Sequence, residues 1–284
     1  MHWQTSRFRI DLTEPKVMGI VNLTPDSFSD GGWHSDPVEG LRHAEQLLKE
    51  GADILDVGAE SSRPGAPPVP LVDELQRLMP WVKEAVRWQV PISVDTYKPA
   101  VMQAVLDAGV DIVNDIWAMR QPGALSVVAR HPSCGVCLMH MHRDPMSMQL
   151  RPMEGDVVAQ VADFLEERIH VLQRSDVRKE RLVIDYGIGF GKTVEQNFRL
   201  LQSQSQLLSK GVPLLAGWSR KSSLGRVLSD DESQAVSVDL RLTASVAAAL
   251  LSVERGASLV RVHDVKPTVD ALRVWRAAQV TKIP

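Results

Sequence analysis

Cysteine is scarce in this sequence: the 284 residues include only two, which excludes a fold held together by a disulfide framework. Scarce cysteine is typical of proteins that fold in a reducing compartment, so we expect the protein to be cytoplasmic. Long apolar runs are missing too, and none approaches the roughly 18 residues that a transmembrane helix needs. The opening stretch, MHWQTSRFRIDLTEP, lacks the apolar core and the small-residue cleavage site of a signal peptide.

A surplus of charge of either sign is also missing. The chain has 32 basic and 35 acidic residues, a formal net charge of −3 at pH 7, and no basic cluster overrides this balance. The charge therefore argues against non-specific binding to nucleic acid or to a membrane surface.

The composition itself, 44% hydrophobic and 24% charged, is ordinary for a globular protein. The length exceeds that of most single domains, but α/β barrels of about 250 residues form one unit. Because no linker, low-complexity segment or shift in composition divides the chain, we predict one domain over residues 1–284.

A short motif occurs four times: a glycine, a small or branched residue, and then a run of strand-forming residues. Its copies are GADILDV from Gly51, GVDIVND from Gly109, GVPLLAG from Gly211 and GASLVRV from Gly256. Each glycine follows an amphipathic stretch, so we interpret it as the left-handed residue that ends a helix. A strand then begins two or three residues later, as in βα units.

Four further apolar runs, at 17–23, 91–95, 135–140 and 181–185, bring the number of predicted strands to eight. Helical periodicity alternates with them, at 38–50, 71–88, 99–108, 157–173, 194–209, 235–254 and 267–277. Strands that are apolar throughout are buried on both faces, which is typical of a parallel sheet. The pattern predicts the α/β class and a (β/α)₈ TIM barrel, with a short N-terminal β extension in residues 1–16.

Polar residues stand at or just after the carboxyl ends of the predicted strands. They are Asn22, Asp56 with Glu60, Asp95, Asn114 with Asp115, His140, Asp185, Ser219 to Lys221, and Arg261 with His263. Any one of them could simply cap the next helix or turn, as Asp95 and Asn114-Asp115 could. Capping does not explain the whole set, because a charge within an apolar run is costly unless it is paired or bound. Barrel enzymes build their active sites at this face, so we predict one there.

Several loops carry residues suited to anions or flat ligands. GIGFGK (187–192) is glycine-rich, although it does not match a P-loop, and its backbone could approach a flat ligand closely. GWSRKSS (217–223) places two cations and serines where a helix begins, and RVHDV supplies Arg261 and His263. Barrels commonly hold phosphate in the loops after strands seven and eight. ESSRPGA (60–66) adds Arg63, which could reach over a bound ligand.

Two other features have competing interpretations. CGVCLMHMH resembles a zinc or redox site, but Cys137 and His140 are an odd number of residues apart and would face opposite sides of a strand. We therefore interpret Cys134 and Cys137 as structural thiols. The helix of residues 242–253 is apolar nearly all round, which suggests a subunit interface.

These residues together resemble the dihydropteroate synthase family. The resemblance is carried by MGIVNLTPDSFSDGG, DVGAESSRPGA, SVDTYKP, NDI, CLMHM, IDYGIGFGK, SRKSSLG and RVHDV, in the order of that family and across nearly the whole chain. It implies an enzyme that condenses p-aminobenzoate with (7,8-dihydropterin-6-yl)methyl diphosphate, forming 7,8-dihydropteroate and diphosphate for folate biosynthesis. It also implies Mg²⁺ as cofactor, sulfonamides as competitors, and a homodimer.

The resemblance further implies a role for each matching position. Pterin binding would fall to Asp95, Asn114, Asp185, Lys221, Met139, Gly189, Phe190 and Gly217. The diphosphate would be held by Asn22, which also contacts Mg²⁺, and by Ser62, Arg63, Arg261 and His263. Phe28, Pro64, Arg220 and Ser222 would line the approach of p-aminobenzoate. Asp95, Asp185, Lys221 and Arg63 would be the catalytic residues.

The implied reaction is an SN1-like substitution, in which diphosphate leaves with help from Mg²⁺ and cations before the amine attacks. The chain departs from the family pattern at Tyr186, where proline is usual, and at Ser62, Ala59 and Tyr97. Of these, Tyr186 is the departure that could alter the pterin loop.

Two alternatives have different requirements. A pterin-binding methyltransferase domain would share the barrel, but its substrate carries no diphosphate and would not need Arg63, Arg261 and His263. An inactive paralogue would bind pterins without catalysis.

Overall fold

Eight parallel strands close into a barrel in this computed structural model, which describes residues 1–24, 37–61, 65–208, 211–231 and 234–279. Two short antiparallel strands, β1 (His2–Gln4) and β2 (Arg9–Asp11), precede the barrel. The barrel strands are β3 (Lys16–Asn22), β4 (Ile54–Gly58), β5 (Ile92–Asp95), β6 (Ile112–Asp115), β7 (Gly135–Met139), β8 (Leu182–Asp185), β9 (Leu214–Ala216) and β10 (Leu259–Val262). Each pairs with its neighbour in chain order, and β10 pairs with β3. The predicted TIM barrel with an N-terminal β extension is confirmed.

Helices follow the barrel strands and cover the outside of the barrel. They are α1 (Pro37–Glu50), α2 (Leu71–Ala85), α3 (Pro99–Asp107), α4 (Ala124–Arg130), α5 (Val157–Gln173), α6 (Val194–Gln202), α7 (Gln204–Leu208), α8 (Ser222–Val227), α9 (Leu242–Glu254) and α10 (Val265–Gln279). The capping box of α6 explains its start: the side chains of Thr193 and Gln196 each accept a hydrogen bond from the other's backbone N–H.

The predicted helices differ from the structure in three places, two of them boundaries and one a missing helix. The helix predicted at 194–209 breaks at Ser203 into α6 and α7. The one predicted at 235–254 begins only at Leu242, after a 3₁₀ turn at Val238–Arg241. The seven-residue helix α4 was not predicted, because so short a segment shows little helical periodicity.

The amino end of the barrel is closed by an apolar layer. Most strands contribute one inward side chain to it: Met18, Ile54, Ile112, Cys137, Val183, Leu215 and Leu259. Trp3 and Ile10 of the β1–β2 ribbon pack beneath this layer, and Trp3 Nε1 donates a hydrogen bond to the carbonyl of Arg181 at 2.9 Å. Because this end is filled, the space for a ligand lies at the opposite, carboxyl end.

The described helices include none that is long and apolar enough to span a membrane.

Candidate active site

Strand alternation builds a polar layer directly above the apolar one. Side chains two residues apart on a strand face the same way, so the inward residues Ile54, Ile112, Val183 and Leu259 are followed by inward Asp56, Asn114, Asp185 and Arg261. Asp56 is fully buried, and Asn114 and Asp185 are no more than 7% exposed. Acids, an amide and a cation from four strands therefore share the carboxyl mouth of the barrel.

Arg261 connects this layer across the mouth. Its Nε donates to Asp56 Oδ2 at 2.6 Å, and its Nη2 donates to Asp95 Oδ2 at 2.8 Å. Asp56 also accepts from Ser93 Oγ at 2.5 Å and from Asn114 Nδ2 at 3.2 Å. Burial raises the pKa of Asp95, and the positive charge of Arg261 opposes that rise. Two predicted pterin residues, Asp95 and Asn114, thus lie in one network with a predicted diphosphate residue.

Asp185 ends β8 on the other side of the mouth. Its Oδ1 accepts a hydrogen bond from Gly187 N at 2.7 Å, which turns the chain into the glycine-rich loop. A Cβ at Gly217 would lie 3.6 Å from Asp185 Oδ2, so Gly217 leaves one face of the carboxylate open. Burial raises the pKa of Asp185, although the charges of Lys221, Arg261 and Lys192 all lower it.

The glycine-rich loop and the start of α8 form the side of a slot beside Asp185. Lys221 Nζ lies 4.4 Å from the ring centre of Phe190, and a Cβ at Gly189 would lie 3.5 Å from Lys221 Cδ. Gly189 has φ +82°, a left-handed conformation that a side chain would strain. Phe190 also packs with Met139 in one apolar cluster. The four predicted slot residues Met139, Gly189, Phe190 and Lys221 therefore lie close together.

His263 and Ser219 form a pair at the end of β10. Ser219 Oγ lies 3.0 Å from His263 Nδ1 and accepts a hydrogen bond from His263 N at 3.1 Å. Burial lowers the pKa of His263 to about 3, and the charge of Arg261 adds to this effect. His263 is therefore a neutral imidazole at physiological pH, able to form hydrogen bonds without carrying charge.

Arg220 and Ser222 lie at the outer rim. The guanidinium of Arg220 donates to both carboxylate oxygens of Asp264, at 2.6 and 3.0 Å. Its backbone is left-handed, at φ +59°, and is held there by Ser245 Oγ and by the side chain of Arg241. Ser222 begins α8 and is exposed.

Four predicted site residues, Phe28, Ser62, Arg63 and Pro64, lie outside the described residues. Asn22, the predicted Mg²⁺ contact, ends β3 and lies opposite Gly58 in the register with β4. Within the described ranges, no group of three or more His, Cys, Asp or Glu side chains could hold a metal. Mg²⁺ commonly keeps several waters and takes its other ligands from a substrate phosphate. A single amide oxygen at Asn22 fits an ion held mainly by a bound diphosphate.

Two of the polar residues at strand ends do not face the mouth. His140 packs edge-on against Phe164 outside the barrel and receives Lys192 at its Nδ1. Asp115 accepts backbone N–H groups from Trp117 and Met119, so the capping interpretation was right for this residue.

The two cysteines belong to different layers. Cys137 lies in the interior layer of the barrel, whereas Cys134 packs in the outer core and contacts Arg181 Nη2 through its sulfur at 3.0 Å. Both thiols are free and buried.

A polar cluster beside Asp95 was not predicted from the sequence. Lys98 Nζ contacts the carboxylates of both Glu60 and Glu74, and Tyr97 Oη donates to Glu60 Oε1 at 2.7 Å. Glu74 is 1% exposed although it lies on α2, and Thr96 Oγ1 donates to it at 2.7 Å. Helical periodicity alone gives no signal for a buried acid of this kind.

Comparison with known proteins identifies the family. A family model described as "Pterin binding enzyme" matches residues 18–263. The chain is 48% identical to the dihydropteroate synthase of Neisseria meningitidis serogroup B, covering 97% of this chain and 96% of that protein. It is 43% identical to the dihydropteroate synthase of Escherichia coli K12, covering 96% and 95%.

Solved structures agree with the sequence comparison. The dihydropteroate synthase of Burkholderia cenocepacia, complexed with 7,8-dihydropteroate, matches with a TM-score of 0.88 and 47% identity, covering 98% of this chain and 96% of that chain. The dihydropteroate synthase of Xanthomonas albilineans with 4-aminobenzoic acid matches with a TM-score of 0.91 and 46% identity, covering 99% and 100%. The chain belongs to the dihydropteroate synthase family of pterin-binding transferases.

Proposed function

We propose that the carboxyl mouth of this single-domain barrel is where p-aminobenzoate is joined to the dihydropterin diphosphate. The observation that carries the proposal is the polar layer: Asp56, Asn114, Asp185 and Arg261 at one level of the barrel, with Asp95 bound to Arg261. Structures of related synthases from Burkholderia cenocepacia and Xanthomonas albilineans in complex with 7,8-dihydropteroate and with 4-aminobenzoic acid support the same ligands here.

Asp185, Asn114 and Asp95 bind the pterin. The 2-amino-4-oxo edge of a pterin presents donors and an acceptor side by side, which a carboxylate and an amide can pair with. Asp185 has Oδ1 bonded to Gly187 N, and the open side at Gly217 leaves Oδ2 accessible for the pterin edge. Lys221 and Phe190 bound the slot, with Gly189 and Met139 shaping its walls.

The diphosphate lies on the side of His263 and Asn22, and we expect Ser62 and Arg63 to be its further contacts, as the family resemblance implies. His263 is neutral, so it can form a hydrogen bond with a phosphate oxygen. No second positive charge then has to be buried beside Arg261. Arg261 donates through Nε to Asp56 and through Nη2 to Asp95, and the anion would bind at Nη1. Cations aimed at the leaving group stabilise the negative charge that grows as its bond breaks.

Asn22 would contribute an oxygen ligand to Mg²⁺, with the diphosphate and waters as the remaining ligands. The bound ion would neutralise charge on the departing diphosphate.

The substitution is SN1-like. The bond between the pterin methylene carbon and the diphosphate oxygen breaks first, and its electron pair leaves with the diphosphate. The resulting cation is delocalised into the dihydropterin and is favoured by the carboxylates of Asp95 and Asp185. The nitrogen lone pair of p-aminobenzoate then forms the new C–N bond, and the nitrogen loses its extra proton to water, because an alkylated anilinium is a strong acid.

We expect Phe28, Pro64, Arg220 and Ser222 to line the approach of p-aminobenzoate, as the family resemblance implies. Ser222 and Arg220 stand at the exposed start of α8, which is suited to a carboxylate. Sulfonamides, which share the shape of p-aminobenzoate, would compete there; a sulfonamide complex of the Yersinia pestis synthase supports this.

A steady-state assay of diphosphate release tests the proposed function. We expect sustained, multiple-turnover release only when the dihydropterin diphosphate, p-aminobenzoate and Mg²⁺ are all present, because an SN1-like step allows only slow release when water replaces the amine. An inactive paralogue would release none, and a turnover rate that p-aminobenzoate does not increase would contradict the synthase reaction. With ring-substituted p-aminobenzoates, an SN1-like step predicts a single-turnover rate that is insensitive to the basicity of the amine.

The enzyme acts in the cytoplasm as a homodimer through α9 and the 3₁₀ turn before it. Leu240 and Leu251 are 66% and 44% exposed there, which leaves apolar surface for a second copy to cover. Sedimentation equilibrium of the wild type and of Leu251→Glu tests the dimer, with Val274→Glu on exposed α10 as the control. A monomeric wild type would contradict it.

A further inference from the structure

Lys192 ends the glycine-rich loop but does not face solvent. Lys192 is only 3% exposed, and its ammonium group lies among backbone carbonyl groups. Nζ is 2.9 Å from the carbonyl oxygen of Gly187 and 3.2 Å from that of Phe190. It is also 2.9 Å from His140 Nδ1, at the end of the preceding barrel strand. An ammonium group has three N–H donors, and three acceptors are in place for them.

His140 must be neutral to accept from Lys192. Burial lowers the pKa of His140 to about 2, and the charge of Lys192 adds to this effect. The imidazole therefore carries its proton on Nε2 and offers Nδ1 as an acceptor. This arrangement fixes both ends of the loop, because Gly187 begins it and Phe190 is the aromatic residue of the slot.

The position of Lys192 also has an electrostatic consequence. Asp185 lies two residues before the loop, and Gly187 connects it to Lys192: the N–H of Gly187 donates to Asp185 Oδ1, and the carbonyl of Gly187 accepts from Lys192 Nζ. Three cations lower the pKa of its carboxyl, Lys221 most, then Arg261, then Lys192. Lys221 and Arg261 stand in the mouth, next to the substrates. Lys192 stands behind the loop, where no substrate reaches it. Burial lowers the pKa of Lys192 to about 7, so its ammonium group is charged on the acid side of neutrality, where Asp185 gains or loses its proton. A charge in a poorly solvated location is also screened less than one at the surface.

We infer that Lys192 is a positioning residue of the synthase reaction: it holds the Gly187–Gly191 loop in the shape of the pterin slot and, when protonated, adds a positive charge behind that loop to those of Lys221 and Arg261 that favour the ionised form of Asp185. The inference rests on the proposed binding of the pterin by Asp185. Lys192 touches neither the reacting atoms nor either substrate.

Asn197 provides a matched comparison, because it holds the same loop without charge. It is 1% exposed, and its Oδ1 accepts from Gly189 N at 3.0 Å. Its Nδ2 donates to Ser223 Oγ at 2.9 Å and to the carbonyl of Thr193 at 2.8 Å. Asn197→Ala loosens the loop without altering the electrostatics of Asp185, whereas Lys192→Met changes both.

The experiment is a pH series of kcat/KM for the dihydropterin diphosphate, from pH 5 to pH 9, with KM for p-aminobenzoate measured in parallel. Lys192→Met and Asn197→Ala should each raise KM for the pterin by about tenfold, the effect of losing one or two buried hydrogen bonds. Only Lys192→Met should move the midpoint of the acid limb to higher pH, by about one unit. Lys192→Arg, which keeps the charge, should leave that midpoint where it is in the wild type.

Coinciding midpoints in Lys192→Met, Asn197→Ala and wild type would overturn the electrostatic role. An equal rise in KM for both substrates would overturn the role in shaping the pterin slot. Should Lys192→Met fail to fold, Lys192→Gln removes the charge and retains a donor, and the same midpoint decides the question. Calorimetric titration of Asp185→Asn with the pterin distinguishes a failure of this inference from a failure of the proposed function. Wild-type affinity in that variant would refute the role proposed for Asp185 itself.

Discussion

The guanidinium group of Arg261 lies between the carboxylates of Asp56 and Asp95, at 2.6 and 2.8 Å, and joins three strands of the barrel across its mouth. The side chain of Asp56 is fully buried and that of Arg261 is 21% exposed, so this cluster is screened little by solvent. One cation faces two acids. The barrel mouth therefore depends on Arg261 for its own stability, apart from any contact with substrate.

Arg261→Gln should lower the free energy of unfolding by about 3–5 kcal/mol, because it leaves buried carboxylates without their partner. Urea denaturation at pH 7.5 measures the change. Arg273→Gln, which removes an exposed arginine paired with Asp270 at 3.5 Å, is the control and should cost no more than about 1 kcal/mol. Adding Asp56→Asn to Arg261→Gln should recover part of the loss, and failure to do so would contradict the paired-charge account.

Asp185→Asn should stabilise the fold while impairing pterin binding. Burial raises the pKa of Asp185 in the folded state, so the folded protein holds a proton on this group that the unfolded chain releases as pH rises. Its ionised form therefore lowers stability above the unfolded pKa, and the amide removes that cost.

Thermal unfolding of Asp185→Asn should show a gain in stability at pH 8 that is smaller at pH 4. Calorimetry should show pterin affinity reduced about 10- to 100-fold, as expected for the loss of a charged hydrogen bond. Asp163→Asn, on the exposed side of α5, is the control for both measurements. A loss of stability at pH 8 together with wild-type affinity would count against the role proposed for Asp185.

His263 should make the fold sensitive to acid. Its pKa is lowered to about 3 in the folded protein, mainly by burial, against an ordinary value of about 6.5. Below pH 6.5 the unfolded chain gains a proton that the folded protein does not, so stability is lost as pH falls. At pH 5 this contribution is about 2 kcal/mol.

His263→Gln should therefore lose about 2 kcal/mol less than the wild type between pH 7 and pH 5. Urea denaturation at the two pH values gives the difference directly. The exposed His170→Gln is the matched histidine control. Equal losses in His263→Gln and in the wild type would show that His263 is not the group responsible.

Tyr186 stabilises the outside of the barrel wall. Its hydroxyl donates to Gln204 Oε1 at 3.1 Å and accepts from Trp218 Nε1 at 3.0 Å, and Gln204 in turn donates to the carbonyls of Ser252 and Arg255. The ring is fully buried in the outer core. The side chain points away from the mouth, so the tyrosine adds no group of its own to the proposed site.

Tyr186→Phe should cost about 1–3 kcal/mol of stability, since it leaves buried polar groups of Trp218 and Gln204 unpaired. KM for the pterin should stay within about twofold of the wild type, since the ring keeps its place. Tyr97→Phe, at the chain's only other tyrosine, removes a hydroxyl that is half-buried and should cost less. A large rise in KM for Tyr186→Phe would mean that its hydroxyl also shapes the pterin loop.

The sequence was most informative where strand alternation alone determines direction. Asp56, Asn114, Asp185 and Arg261 each follow an inward apolar residue by two positions, so their convergence on the mouth could be predicted from β-strand geometry. The direction of side chains beyond the end of a strand could not be predicted in this way. His140 follows Met139 by one residue and faces outward, and Lys192 is buried beside it because carbonyls of its own loop accept hydrogen bonds from its ammonium group.

The sequence also could not predict which charged side chains pair with each other. The motif RVHDV does not indicate a partner for Arg261, but in the structure Arg261 is bound to Asp56 and Asp95, which lie far from it in the chain. Glu74 lies on an amphipathic helix and would be expected at the surface, but Lys98 and Thr96 make its burial tolerable. Such pairings depend on which loops and helices meet, and no local pattern encodes that.

In the proposed function, Asp185 holds the pterin at one side of the mouth, and His263 holds the diphosphate at the other. Calorimetric titration of wild type, Asp185→Asn and His263→Gln with the free pterin alcohol and, separately, with Mg²⁺-diphosphate tests this division. We predict that Asp185→Asn weakens binding of the pterin alcohol alone and that His263→Gln weakens binding of diphosphate alone. If either variant weakened both ligands equally, or neither, the division of the mouth into two subsites would be contradicted.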